Sequence, residues 1–205
     1  MKCIRVRWLI ESGRLSPLSP IALICMKLKV EWLPYMHRYV YGPTPGITEV
    51  LERVLDALKP KSMLDLYCGS GALSKLAYIK NVEKIKAVDI YVEAARKNLK
   101  KLKRVEIEEG DALEFDSGRY DLVVADPPEE VENLIRKLRE FKKKYVKAMV
   151  IWLGPYHKAS KIIKIFSRDR KSIIVEAWGD AVGILWKKSE HKEAIKKALR
   201  NAEFS

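Results

Sequence analysis

The 205-residue chain predicts an α/β fold: a doubly wound, mostly parallel seven-stranded sheet that ends in an antiparallel hairpin. Three observations predict it. From Ile47 onward, short apolar runs alternate with stretches of helical spacing, which requires a parallel sheet with helices on both faces. The run from Met63 to Leu73 passes through Asp65 into a turn, Gly69-Ser70-Gly71, that opens a helix. Glycines there let a ligand approach the backbone, because no Cβ stands in the way. Finally, Ser172–Trp178 and Ala181–Lys188 are strand-like runs joined by Gly179-Asp180, the pattern of a hairpin.

The elements follow in order. Ile4, Val6, Trp8 and Ile10 alternate with polar residues, as in a half-buried strand, and Ser19-Pro20 offers a cap and first turn for a short helix over Ile21–Lys27. An aromatic segment with Tyr35, Tyr39 and Tyr41 leads into Gly42-Pro43-Thr44-Pro45-Gly46, which marks the boundary between an N-terminal extension (1–45) and the main domain (46–205). Ile47, Val50, Leu51, Val54, Leu55 and Leu58 recur at helical spacing until Pro60 stops them. Strands are expected at Ser62–Tyr67, Lys84–Asp89, Val105–Glu109, Tyr120–Ala125 and Val146–Leu153. Helices are expected at Ala72–Ile79, Val92–Leu102, Glu130–Phe141 and Tyr156–Phe166, with Gly110–Arg119 irregular and a last helix from Ser189 through Ala198.

Composition narrows the function classes. The chain is 48% hydrophobic and 33% charged, which is globular rather than disordered. Cys3, Cys25 and Cys68 are odd in number and widely spaced, against a disulfide scaffold or a zinc site and in keeping with a reducing cytoplasm. The stretch Leu15–Val30 is interrupted by Pro17, Pro20, Lys27 and Lys29, so it reads neither as a membrane span nor as a signal peptide. A net charge of +13 points to a polyanionic partner, most simply nucleic acid. The absence of glutamine, with only four asparagines and many Lys and Glu, is also how thermophile proteins become basic without binding nucleic acid.

Four of the expected strand ends carry an acid: Asp65, Asp89, Asp111 and Asp126. Asp89 stands 18 residues beyond Gly71, at the end of the second strand, where a carboxylate can accept from both hydroxyls of an adenosine ribose. That geometry serves NAD and S-adenosylmethionine alike. The dinucleotide fingerprint wants a third glycine where this chain has Ser74, which favours S-adenosylmethionine. Asp111 and Ala112 follow the third strand. Asp111 alone would be a turn cap; beside Asp65 and Asp89 it reads as an acceptor for an adenine amine. Asp126-Pro127-Pro128 follows the apolar strand Leu122–Ala125, and the prolines force the chain out at the carboxyl end, where ligands sit in such sheets. A carboxylate and a rigid carbonyl there can hold both hydrogens of an –NH₂ group and aim its lone pair at an electrophilic methyl.

With these residues quoted, the chain from about Gly46 to Lys188 resembles the class I S-adenosylmethionine-dependent methyltransferases, a Rossmann-like fold. Within them it is most similar to RNA methylases of the D/N-P-P type that modify a guanine exocyclic amine in small-subunit ribosomal RNA. The resemblance implies that Asp65, Tyr67, Gly69 and Gly71 surround the methionine moiety, Asp89 the ribose, and Ile90, Asp111 and Ala112 the adenine. It implies that Asp126, Pro127 and Pro128 hold the target amine of an rRNA or tRNA base, with no metal ion. One departure stands out: where that family stacks an aromatic residue on the base, this chain has Glu129. Tyr41, Tyr67, Tyr91 or Tyr156 are the alternatives for the stack.

Cys68 lies in the glycine turn and reads as small packing rather than as a nucleophile. His37, His157 and His191 show no metal or triad spacing. The run Lys161, Lys164, Arg168, Arg170 and Lys171 reads as an RNA-facing patch or, equally, as a solvated face. Two other functions fit the same fold: methylation of a protein side chain or small molecule, which would suit the acids at the mouth, and non-catalytic RNA binding.

Overall fold

The computed structural model describes residues 27–29, 44–115, 118–127, 133, 136, 143–169 and 171–200. The expected N-terminal strand, most of the extension, Pro128 to Glu130 and most of the helix expected at Glu130–Phe141 lie outside the described residues. Asn133 and Arg136 of that helix are helical.

The first helix, α1 (Pro45–Leu58), begins where proline costs no hydrogen bond, since the first amides of a helix have no partner inside it. It buries Ile47, Val50, Leu51, Val54, Leu55 and Leu58, and ends at Lys59 in the left-handed region just before Pro60. Then follow β1 (Ser62–Leu66), α2 (Ala72–Ile79), β2 (Lys84–Asp89), α3 (Glu93–Leu99), β3 (Val105–Glu109) and β4 (Tyr120–Ala125). The chain continues through β5 (Tyr145–Pro155), a 3₁₀ turn (Tyr156–Lys158), α4 (Ser160–Phe166), β6 (Ser172–Ala177), β7 (Asp180–Trp186) and α5 (Ser189–Arg200).

The strand order is β3-β2-β1-β4-β5-β7-β6. The pairs among β1 to β5 are parallel, whereas β7 runs antiparallel to both β5 and β6. The expected fold is therefore the observed one. β4 is apolar from Leu122 to Ala125 because both its faces are covered there. Leu122 and Val124 pack with α1 residues on one side, while Val123 and Ala125 join Met149, Ile151 and Phe166 on the other. The order reverses between β1 and β4, where Leu66 pairs with both Val88 and Ala125. At such a switch point the connections leave in opposite directions and open a crevice at the carboxyl ends.

Besides shifts of one or two residues at β1, β5 and α5, three boundaries differ from expectation. Helix α3 is shorter than Val92–Leu102, and the segment Tyr156–Phe166 breaks into a 3₁₀ turn followed by α4. The hairpin turn is Trp178-Gly179 rather than Gly179-Asp180, because Ala177 pairs with Asp180. Both turn residues have positive φ, 55° and 75°, as a two-residue turn matching strand twist requires. Trp178 tolerates that conformation with its indole Nε1 donating to Glu49 Oε2 at 2.7 Å.

Candidate active site

The carboxyl ends of β1, β2 and β4 bring Asp65, Asp89 and Asp126 into one acidic cluster. Each turn that does so has a local cause. After β1 the chain enters the left-handed region at Tyr67 (φ 60°), Gly69 (φ 50°) and Gly71 (φ 77°), and the Cys68 amide donates to the Val88 carbonyl of β2. The Gly69 amide donates to Asp89 Oδ2 at 2.8 Å, and the Tyr91 amide donates to Asp89 Oδ1 at 2.9 Å. Asp89 thus ties the glycine turn to the end of β2. Each carboxylate oxygen has a second lone pair, so acceptor capacity for a ribose remains.

Gly71 has a packing reason: a Cβ there would lie 2.5 Å from Leu99 Cδ1, so this glycine admits the Leu99 side chain of α3. Ser74, which stands where a dinucleotide site has its third glycine, donates its hydroxyl to Asp65 Oδ2 at 2.6 Å. The position carries an anchor between α2 and β1, a role the sequence did not reveal.

Asp65 is fully buried, and its Oδ1 has no hydrogen-bond donor. Burial pushes its carboxyl up to about 7, with the Asp126 and Asp89 charges adding to the rise and the Ser74 bond opposing it. Asp126 is likewise pushed up to about 7, by burial first and by the Asp180 charge, against the bonds from Thr44. Burial also raises Asp89. Acids that disfavour one another's charge suit a cationic occupant.

Two partners of Asp126 were not legible as such. Thr44, the residue before α1, donates its hydroxyl to Asp126 Oδ1 at 3.0 Å and its amide to Oδ2 at 3.4 Å. Asp180, at the start of β7, accepts from the Gly46 amide at 3.3 Å and from Trp152 Nε1 at 3.1 Å. The amino end of α1, where partial positive charge gathers, is therefore met by two carboxylates. The Thr44-Pro45-Gly46 triplet announces a helix start; only the fold says that this start faces Asp126.

The other expected site residues distribute as follows. Ile90 is exposed and Ala112 is buried. Asp111 Oδ1 accepts from the Leu113 amide at 2.8 Å, so the turn-capping role is realised whatever else its second oxygen does. Pro127 is buried directly after Asp126. Cys68 packs with Ala87, Ala95 and Leu99, and burial pushes its thiol up, as fits packing and not attack. The groove bounded by Lys27, Glu49, Glu52 and Trp178 runs along α1 and takes no part in the acidic cluster. No group of metal-ligating residues occurs among the described residues, and no helix among them is long and apolar enough to cross a membrane.

A doubly wound sheet with this strand order, reversed terminal pair and acid-bearing strand ends defines a methyltransferase of the S-adenosylmethionine-dependent type. The chain belongs to the methyltransferase small domain family, whose sequence profile matches residues 46–148. It is 32% identical over 113 residues to a curated relative described as an uncharacterized RNA methyltransferase of Chlamydia caviae, a match covering 49% of this chain and 28% of that protein. Among solved structures, it is similar to a provisionally assigned RNA methyltransferase of Pyrococcus horikoshii, with a TM-score of 0.60, 18% identity and coverage of 82% of this chain and 95% of that one. A Podospora anserina methyltransferase solved with S-adenosylhomocysteine gives a TM-score of 0.59 at 15% identity, covering 90% of this chain and 94% of that one. These structural likenesses carry the fold and not the substrate.

Proposed function

We propose that this protein transfers a methyl group from S-adenosylmethionine to an exocyclic amine of an RNA base. The observation that carries the reading is Asp126-Pro127 leaving β4 beside Asp65 at the point where strand order reverses. The Chlamydia caviae relative and the net charge of +13 support RNA over other acceptors.

The residues fit the cofactor. The orphaned Oδ1 of Asp65 and the mutually raised acids favour a cation, and Asp89, Ile90, Asp111 and Ala112 line the ends of the two strands next in order. When bound, S-adenosylmethionine supplies a methyl group on a positively charged sulfur. The chain's own work is positioning. Asp126 and the Pro127 carbonyl accept the two N–H bonds of the target amine, with Thr44 fixing the Asp126 carboxylate in place. With S-adenosylmethionine bound, the amine held by Asp126 and Pro127 would accept its methyl group, and the proton then lost from the nitrogen would go to water or to Asp126. A carboxyl held near 7 is suited to taking that proton at neutral pH. A paired base must leave its stack first. Tyr156, exposed just after β5, is the proposed stacking ring, since Tyr67 and Tyr91 are less exposed.

The test is incubation with methyl-labelled S-adenosylmethionine and, in turn, RNA and protein fractions. RNA is expected to take the label, and Asp126→Ala should lower kcat roughly a hundredfold or more while cofactor affinity changes little. Label confined to protein or small molecules would assign the enzyme to the rival substrate class. Unchanged turnover in Asp126→Ala would remove Asp126 from the site.

A further inference from the structure

Charge in this protein is segregated along the strand direction. At the carboxyl ends, Asp65, Asp89, Glu109, Asp126 and Asp180 serve five of the seven strands. At the opposite pole every strand carries a cation. In sheet order from β3 to β6 these are Arg104, Lys84, Lys61, Arg119, Lys147, Lys187 and Lys171.

Backbone bonds fix this row in place. The Ile85 amide donates to Arg104 O, Lys84 N to Lys61 O, Lys187 N to Lys147 O and Trp186 N to Lys171 O, all between 2.9 and 3.1 Å. With strands about 4.8 Å apart, the row spans roughly 30 Å. Lys61, Lys84, Arg119 and Lys171 are exposed. Lys84 and Lys187 lie over the rings of Tyr120 and Tyr145. Asp121 answers Lys147 at 3.2 Å, and Glu83, Glu106, Asp116, Asp169 and Glu190 are the other acids within three residues of the row in the chain. Helix carboxyl ends also favour cations at this pole, but the seven cations flank strands, so helix dipoles do not account for them.

We propose that this amino-terminal pole of the sheet is a docking surface for the RNA phosphate backbone, distinct from the acidic cleft that receives the base. It rests on the reading of RNA as substrate, and it resolves a conflict within that reading: the cleft itself would repel phosphates. Of the patch expected from sequence, Lys171 stands in this row, whereas Lys161 and Lys164 lie on α4, which packs through Phe166 on the face of the sheet.

The experiment measures binding of fluorescent polyuridylate across about 50–200 mM salt. Lys61→Glu/Lys84→Glu is compared with Lys164→Glu/Lys197→Glu, which changes net charge by the same amount. The pole variant should bind roughly tenfold more weakly, with the slope of log K against log salt reduced by about 1.4, the share of two single-strand phosphate contacts. The α4/α5 variant should stay within about threefold of wild type on the same scale. Lys61→Gln/Lys84→Gln should give a smaller loss with unchanged melting, which separates lost contacts from lost folding. Equal losses in both charge-reversed variants, no loss at the pole, or no binding by the wild type overturns the proposal. So does a pole that binds phosphatidylserine vesicles and not polyuridylate. Labelling of RNA with unaltered pole-variant binding defeats this surface and leaves the function standing; pole-dependent binding with label only on protein does the reverse.

Discussion

Asp65 shows how one carboxyl can be both structural and poised. Its Oδ2 is occupied by Ser74, its Oδ1 has no donor, and Asp126 and Asp89 lie close enough to oppose its charge. Both Asp65 and Asp126 are raised from 3.8 to about 7, so the folded protein holds protons that the unfolded chain has released. The sign follows directly. These groups favour folding most below about pH 4, that advantage shrinks as pH rises toward 7, and it is constant above. In melts of the cofactor-free protein, wild type should therefore lose more stability between pH 5 and pH 7 than Asp65→Asn does. Parallel pH profiles for the two would mean that Asp65 is ionised throughout. The sequence made Asp65, Asp89 and Asp126 visible because an acid at the end of an apolar run is conspicuous. It hid Thr44, Ser74 and Asp180, since a threonine before a helix, a serine within one and an aspartate in a hairpin have ordinary local duties.

At the scale of elements, the glycines of this site answer to packing as much as to ligand. Gly46 opens α1, and a Cβ there would lie 2.4 Å from the Ala177 carbonyl and 2.8 Å from Asp180 Cβ. The helix start and the β6–β7 hairpin are thereby held at backbone distance, which sets the spacing of Thr44 and Asp180 about Asp126. Gly46→Ala should destabilise the protein by about 1–3 kcal/mol through overpacking, measured by denaturant unfolding. Gly71→Ala should cost about 2 kcal/mol or more, since it adds a left-handed alanine to a clash with Leu99. If either variant unfolds at the wild-type midpoint, the corresponding contact is looser than described. Periodicity recovered the strands and helices because burial on both faces of a parallel sheet leaves long apolar runs. It placed the hairpin turn one residue late, because the pairing of Ala177 with Asp180 overrides the usual preference for glycine at the first turn position.

For the whole molecule, the strand order, the switch point between β1 and β4 and the two unlike poles form one arrangement. Parallel strands align all their carboxyl ends, so acids written at separate places in the sequence meet in one crevice, while cations at the opposite ends of all seven strands gather at the far pole. The alternation of strands and helices was legible as a fold class; the charge segregation was not, because it exists only once the strands are in register. If the acidic crevice receives S-adenosylmethionine as proposed, Asp89 carries a large share of its binding. Calorimetric titration of S-adenosylmethionine into wild type, Asp89→Ala and Asp89→Asn tests this most directly. Wild type is expected to bind with one site, and Asp89→Ala to lose roughly tenfold or more in affinity as one charge-assisted pair of hydrogen bonds disappears, with Asn intermediate. Equal affinity in all three folded proteins, or no binding by the wild type, would contradict it.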